Sequence, residues 1–157
     1  MKILKYEKKK NSMYQVFFDS DYDVDLHENI ILKYNLLIKK ETTQKELDKM
    51  LDENKKYIAY NQSIKYLSHK MRSVKETKEN LYKNNFDKDT VEEVIELLLK
   101  EKYLDDNLYC KAFINDKILL SSDGPNKIKN KLIELGIDKD IISSNIDIFT
   151  KKNNKKK

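Results

Sequence analysis

The 157-residue chain holds only 2 glycines, 1 proline and 1 cysteine, and it has no tryptophan. All-β sandwiches, barrels and doubly wound sheets need many tight turns built on glycine and proline, so this scarcity moves the expectation to helices. The lone Cys110 excludes an internal disulfide framework and reads as a small, semi-buried apolar residue in a reducing, cytoplasmic setting. Uninterrupted apolar runs reach about four residues, as at Tyr57 to Tyr60, which is too short to span a membrane. The start of the chain, Met1 to Lys8, is broken by charge too often for a signal peptide.

The materials of catalysis are missing as well. His27, His69 and Cys110 form no metal-ligand spacing, and there is neither a Gly-rich phosphate loop nor a G-x-S-x-G elbow. No catalytic residue, metal or cofactor is therefore expected. The alternation Asp19-Ser20-Asp21-Tyr22-Asp23-Val24-Asp25 superficially looks like a calcium loop. It lacks the glycine that the sharp turn of such a loop requires, and Ile30 stands where the bidentate glutamate would be, so it reads as a strand with a wet acidic face.

Charged residues make up 38% of the chain and the mean hydropathy is −0.80, values that disordered chains share. The apolar residues are nevertheless periodic, which disorder does not require. The net charge of +5 is local, because residues 151 to 157 carry five lysines and no acid. The remainder has basic and acidic side chains in equal number, so a globally basic, nucleic-acid-coating surface is not indicated. Arg72 is the only arginine.

Ile3 to Lys8, Met13 to Phe18 and the alternation of Tyr22, Val24 and Leu26 predict a three-stranded meander. Glu28 to Leu36 then predicts one or two helical turns. From Thr43 the pattern is helical. Thr43 to Glu46 and Ser73 to Glu76 are capping-box sequences, and Asp89 to Glu92 imitates them. Tyr57, Tyr60, Ile64, Leu67 and Met71 form one stripe; Val74, Thr77 and Leu81 a second; Val91, Val94, Ile95 and Leu98 a third. A fourth helix, capped by Asp105, is expected to bury Leu108, Ala112 and Phe113. Gly124-Pro125 opens a fifth with Ile128 and Leu132, and Gly136 closes it ahead of a sixth with Ile141, Ile142 and Ile146.

These helices repeat. Leu81 to Val91 aligns without gaps on Leu132 to Ile142, which makes the unit a three-helix module used twice. Such modules bury their faces against one another. The expected fold is mainly α: tandem three-helix repeats forming an elongated body, preceded by a small N-terminal β-meander. The expected divisions are a meander with a short helix at 1–41, a first module with a lead-in helix at 42–104, a second module at 105–150 and a disordered lysine tail at 151–157.

Tyr66 to Glu76, Phe86, Tyr103-Leu104-Asp105-Asp106, Ala112 to Lys117, Gly124 to Ile128, Leu132 and Leu135-Gly136-Ile137, in that order and spacing, resemble the RecX family of RecA regulators over roughly residues 1 to 148. Two departures stand out: Lys102 occupies the place where the family usually has glycine, and the family's common third module is missing, so the chain is expected to be a short or truncated form. The resemblance implies a non-enzymatic modulator that docks along the RecA filament on single-stranded DNA and lowers its ATP hydrolysis, strand exchange and coprotease activity. On this view Lys70, Arg72, Lys75, Lys78 and Tyr82, with Lys127 and Lys129, form the partner-binding face. Lys151, Lys152, Lys155, Lys156 and Lys157 would supply weak, salt-dependent attraction to nucleic acid. The chain is expected to be a monomer. The competing expectation is a helix-turn-helix-like DNA-binding regulator, against which the near balance of charge in residues 57–104 (9 basic, 8 acidic) counts.

Overall fold

The computed structural model describes residues 1–147 and Lys151. It contains β1 (Ile3–Lys8), β2 (Met13–Phe18), β3 (Asp23–His27), α1 (Glu28–Lys33), α2 (Leu36–Lys39), α3 (Gln44–His69), α4 (Val74–Lys83), α5 (Lys88–Lys100), α6 (Asp106–Leu120), α7 (Pro125–Glu134) and α8 (Lys139–Asn145). Two compact units result, Met1–Gln62 and Ser63–Lys157.

In the first unit the three strands pair antiparallel in sequence order, with Tyr6 opposite Val16 and Val16 opposite Val24. Side chains alternate across a strand, so Val16, Phe18 and Leu26 fall on one covered face. They join Ile30 and Ile31 of α1, Leu36 of α2, and Leu47 and Met50 of α3 in one core. The predicted helical turns at 28–36 are broken by Asn35, whose φ of +56° ends α1 and starts α2. Asn54 of α3 is buried, with both ends of its amide hydrogen-bonded. Its amide accepts from the backbone N–H of His27 at 2.8 Å and donates to the carbonyl of Asp25 at 2.8 Å, satisfying backbone groups of edge strand β3. His27 in turn caps α1, its Nδ1 accepting from Asn29 N–H at 3.1 Å while the ring stacks on Tyr57.

The lead-in helix and the first helix of the repeat are one element, the 26-residue α3. Its most buried later positions are Ala59 and Ser63, both at 0% exposure. Tyr57, Tyr60, Ile64 and Leu67 are half-buried, and Met71 lies beyond the helix end, exposed. The stripe was misplaced because small residues at the centre of a buried face carry little weight in a hydrophobic pattern. A similar correction applies to α6, which buries Cys110, Ile114 and Ile118, with Ala112 and Phe113 half-buried and Leu108 55% exposed. That helix has apolar residues on several sides, so its sequence does not single out one face.

In the second unit the repeat is visible atom by atom. Ser73 and Glu76 make the complete reciprocal capping box of α4. Thr43 Oγ1 accepts from Glu46 N–H at 3.1 Å, but the Glu46 carboxylate takes the Thr42 hydroxyl instead of closing the box. The cap of α5 is Asp87, which accepts from Thr90 N–H, and not Asp89. Its repeat counterpart, Asp138, caps α8. Helices α4, α5 and α7 close alike, with Asn85, Lys102 and Gly136 in the left-handed region at φ of +68°, +64° and +82°. The following N–H reaches back to the carbonyl of Leu81, Leu98 or Leu132 at 2.9 to 3.2 Å, which satisfies the orphan carbonyls of the last turn. In the second module Cys110, Ile114, Ile118, Ile128, Leu132, Ile137 and Ile142 form one core.

Only at Gly136 does a close approach add to the backbone demand, since a Cβ there would lie 2.5 Å from Lys75 Cβ. Gly136→Ala is therefore expected to destabilise the second unit by more than the ~1–2 kcal/mol of left-handed strain alone. Asn85→Gly should stabilise it by a fraction of that amount. Urea denaturation of the three proteins checks both directions.

Candidate functional site: the faces and the cleft of the two modules

The Tyr103-Leu104-Asp105-Asp106 segment links the two modules, and each residue has a distinct local task. Leu104 is buried. Asp105 caps its own helix, accepting from the N–H groups of Asn107 and Leu108 at 3.0 and 3.1 Å. Asp106 reaches to the other module and accepts from Val74 N–H, a first-turn donor of α4, at 2.9 Å. Burial raises the Asp106 carboxyl above the usual range against the lowering effect of that backbone bond. Beside it, Tyr109 is pushed up to about 12, first by burial and then by Glu76, whose carboxylate accepts its hydroxyl.

The residues proposed as one docking face divide among several places. Lys75 is drawn into the contact between modules: its stem packs on Gly136 and its ammonium donates to the carbonyl of Glu134, at the end of α7, at 3.1 Å. A cation there also complements the negative end of the helix dipole. Lys78 and Tyr82 remain on α4, half-buried and exposed respectively, and Lys70 is exposed in the turn ahead of it. Arg72 leaves this face. Its guanidinium carbon lies 4.2 Å from the centroid of Tyr66, and its Nε is buried without a hydrogen-bond partner. It lines a cleft of about 90 Å³ together with Leu67, Met71, Lys102, Tyr103 and Leu108.

On α7, Lys127 is 3.1 Å from Asp123, while Lys129 is half-buried. Asp123 also draws Lys131 to 2.9 Å and Lys117 of α6 to 3.7 Å. This cluster was not foreseen. The spacing of Asp123, Lys127 and Lys131 along one helical face could have shown part of it, whereas the approach of Lys117 is tertiary. In the lysine tail Lys151 is exposed, and Lys152, Lys155, Lys156 and Lys157 lie outside the described residues. No group of His, Cys, Asp and Glu among the described residues could hold a metal ion. No helix among them is long and apolar enough to cross a membrane.

Comparison with known proteins matches residues 59–98 to the RecX first three-helix domain and residues 105–144 to the RecX second three-helix domain. A regulatory protein RecX from Oceanobacillus iheyensis is 30% identical over 156 residues, covering 96% of this chain and 57% of the relative. One from Listeria monocytogenes is 26% identical over 92% of this chain and 54% of the relative. The chain thus spans about half the length of the curated relatives it matches. A crystal structure of regulatory protein RecX superposes with a TM-score of 0.79 at 24% identity, over 94% of this chain and 73% of that one, and shows the same fold. The crystal structure of RecX from Lactobacillus salivarius gives 0.60 at 28% identity, over 62% of this chain and 64% of that one.

Hydrogen bonds from Lys131 and then Lys127 hold the Asp123 carboxyl down to about 2. A carboxyl depressed in the folded state contributes stability above its unfolded value of about 3.9 and loses it as pH falls through the folded value. The contribution of Asp123 should therefore be complete above about pH 4 and disappear toward pH 2. Melting temperatures of the parent and Asp123→Asn should differ at pH 6 and converge near pH 2, and a carbon-detected titration should place the carboxyl near 2.

Proposed function

The chain belongs to the RecX family of regulatory proteins, and from that premise we propose that it binds the RecA filament on single-stranded DNA and restrains its ATP hydrolysis, strand exchange and coprotease activity. The observation that carries this reading is the consecutive match of both three-helix domains, at 59–98 and 105–144. A regulator of this kind works by docking, not by chemistry.

The docking face is proposed to centre on Lys78 and Tyr82 of α4, with Lys70 in the preceding turn and Lys129 on α7. Tyr82 is 45% exposed and offers apolar area with a polar tip. Lys75 and Lys127 are already engaged by Glu134 and Asp123, so their contribution would be positioning. The lysines from Lys151 onward would add a weak, salt-dependent attraction to the DNA that the filament coats. A helix-turn-helix reader of duplex DNA would present a clearly basic face, whereas residues 57–104 balance 9 basic against 8 acidic side chains and Asp123 holds Lys127 and Lys131 of α7.

Added to RecA assembled on single-stranded DNA with ATP, the protein should slow hydrolysis at near-stoichiometric amounts. Lys78→Glu combined with Tyr82→Ala should weaken filament binding by about tenfold with an unchanged melting temperature. Unaltered hydrolysis at large excess would remove the regulatory reading. Tight binding to duplex DNA alone would favour the alternative.

A further inference from the structure

Arg72 presents an unusual combination of features. It is the only arginine of the chain, and among the described residues it makes no ion pair. Its Nε is buried without an acceptor. An unsatisfied buried donor costs free energy, and one retained on a side chain as adaptable as arginine calls for a physical reason. The guanidinium carbon lies 4.2 Å from the Tyr66 ring centroid, a cation–π contact that anchors the head group in the cleft with no carboxylate paired to it among the described residues.

The surroundings specify what that acceptor is. The cleft holds two cations, Arg72 and Lys102, and one carboxylate, Asp105. Asp105 Oδ1 accepts the N–H groups of Asn107 and Leu108 as the cap of α6, and with this carboxylate counted the cleft still carries one cation in excess. Lys102, which like Arg72 makes no ion pair among the described residues, adopts φ of +64°. A glycine would take that backbone conformation without strain, so the position keeps a cationic side chain at a conformational cost. The rim is apolar and wet: Met71 is 46%, Tyr103 52% and Leu108 55% exposed. A volume of about 90 Å³ is that of about three waters, room for one side-chain head group.

From this geometry we infer that the cleft between the two modules receives an acidic side chain of a protein partner, flanked by apolar residues that cover Met71, Tyr103 and Leu108, with Arg72 and Lys102 as its counter-charges. A nucleic-acid phosphate would satisfy the cations but would leave the apolar rim uncovered, so a protein segment is the better fit. The inference deepens the regulatory reading and rests on it for the identity of the partner, but not for the chemistry of the cleft.

The test uses the full chain and the single Nε–H resonance that a lone arginine gives in a nitrogen-resolved spectrum. Titration with acetyl-Leu-Asp-Phe-amide should move this resonance saturably. The Asn analogue of the peptide should bind roughly fivefold more weakly, because the charge-assisted fork is lost. Met71→Glu should weaken the Asp peptide by a similar factor. Lys102→Gly should weaken it too while leaving the melting temperature equal or higher, which separates a binding role from a structural one. Oligodeoxythymidine should leave the resonance in place.

A resonance that ignores the Asp peptide, or that answers the Asn analogue equally, overturns the inference. Movement with oligodeoxythymidine and not with the peptide would reassign the cleft to phosphate and overturn it as well. In parallel, the parent chain and Met71→Glu are titrated with RecA filaments. Peptide binding without any filament binding by the parent chain would remove the regulatory reading and leave the cleft assignment standing. Filament binding with peptide silence would do the reverse.

Discussion

The tandem modules depend on how α4 meets the second repeat. Val74 offers a first-turn N–H that its own helix cannot use, and Asp106 from the other module takes it. One residue later, Lys75 lays its stem on Gly136 and donates to the Glu134 carbonyl at the end of α7. Helix termini expose uncompensated donors and acceptors. Here one module satisfies those of the other, so the contact is polar and directional as well as apolar. It fixes Gly136 twice over, by its left-handed backbone and by the absence of a Cβ under the lysine stem.

That contact also reorganises the charged residues around it. Lys75 is committed to the junction, which leaves Lys78 and Tyr82 as the open part of α4. Arg72, immediately ahead of the Ser73 cap, turns onto Tyr66 and into the cleft beneath the linking segment. Glu76 serves both the capping box and the Tyr109 hydroxyl, and so joins the start of α4 to α6. A run of residues that looks like one basic surface in the sequence thus has three destinations: a helix-end contact, an open helix face and a cleft.

Local rules were legible wherever the partners are near in sequence. The strands at 3–8 and 13–18, the Ser73 to Glu76 box and the glycine closing α7 depend on alternation, on an i to i+3 hydrogen bond and on one backbone dihedral. The repeat could not correct the error at Asp89, because it pairs Asp87 with Asp138 and equally Asp89 with Asp140; only the hydrogen bonds single out Asp87 and Asp138 as the caps. The absence of glycine at Lys102 was visible in the sequence, and the structure shows that Lys102 itself takes the left-handed conformation there. The face of α6 was not legible, since apolar residues on several sides leave the rotation to be chosen by whatever packs against it.

The sequence by itself determined that the chain is mainly helical, that a β-meander precedes the helices and that a three-helix unit occurs twice, because each of these rests on periodicity, order and spacing; its motifs resemble the RecX family, to which the domain matches assign it. Tertiary structure alone decided that Lys75 meets Glu134, 59 residues away, that Asp106 caps the other module's helix, that Lys117 joins the Asp123 cluster and that Arg72 lies over Tyr66. The physical reason is that helical spacing states which side chains share a face, whereas the charge and hydrogen-bonding state of a side chain depends on atoms brought to it through space.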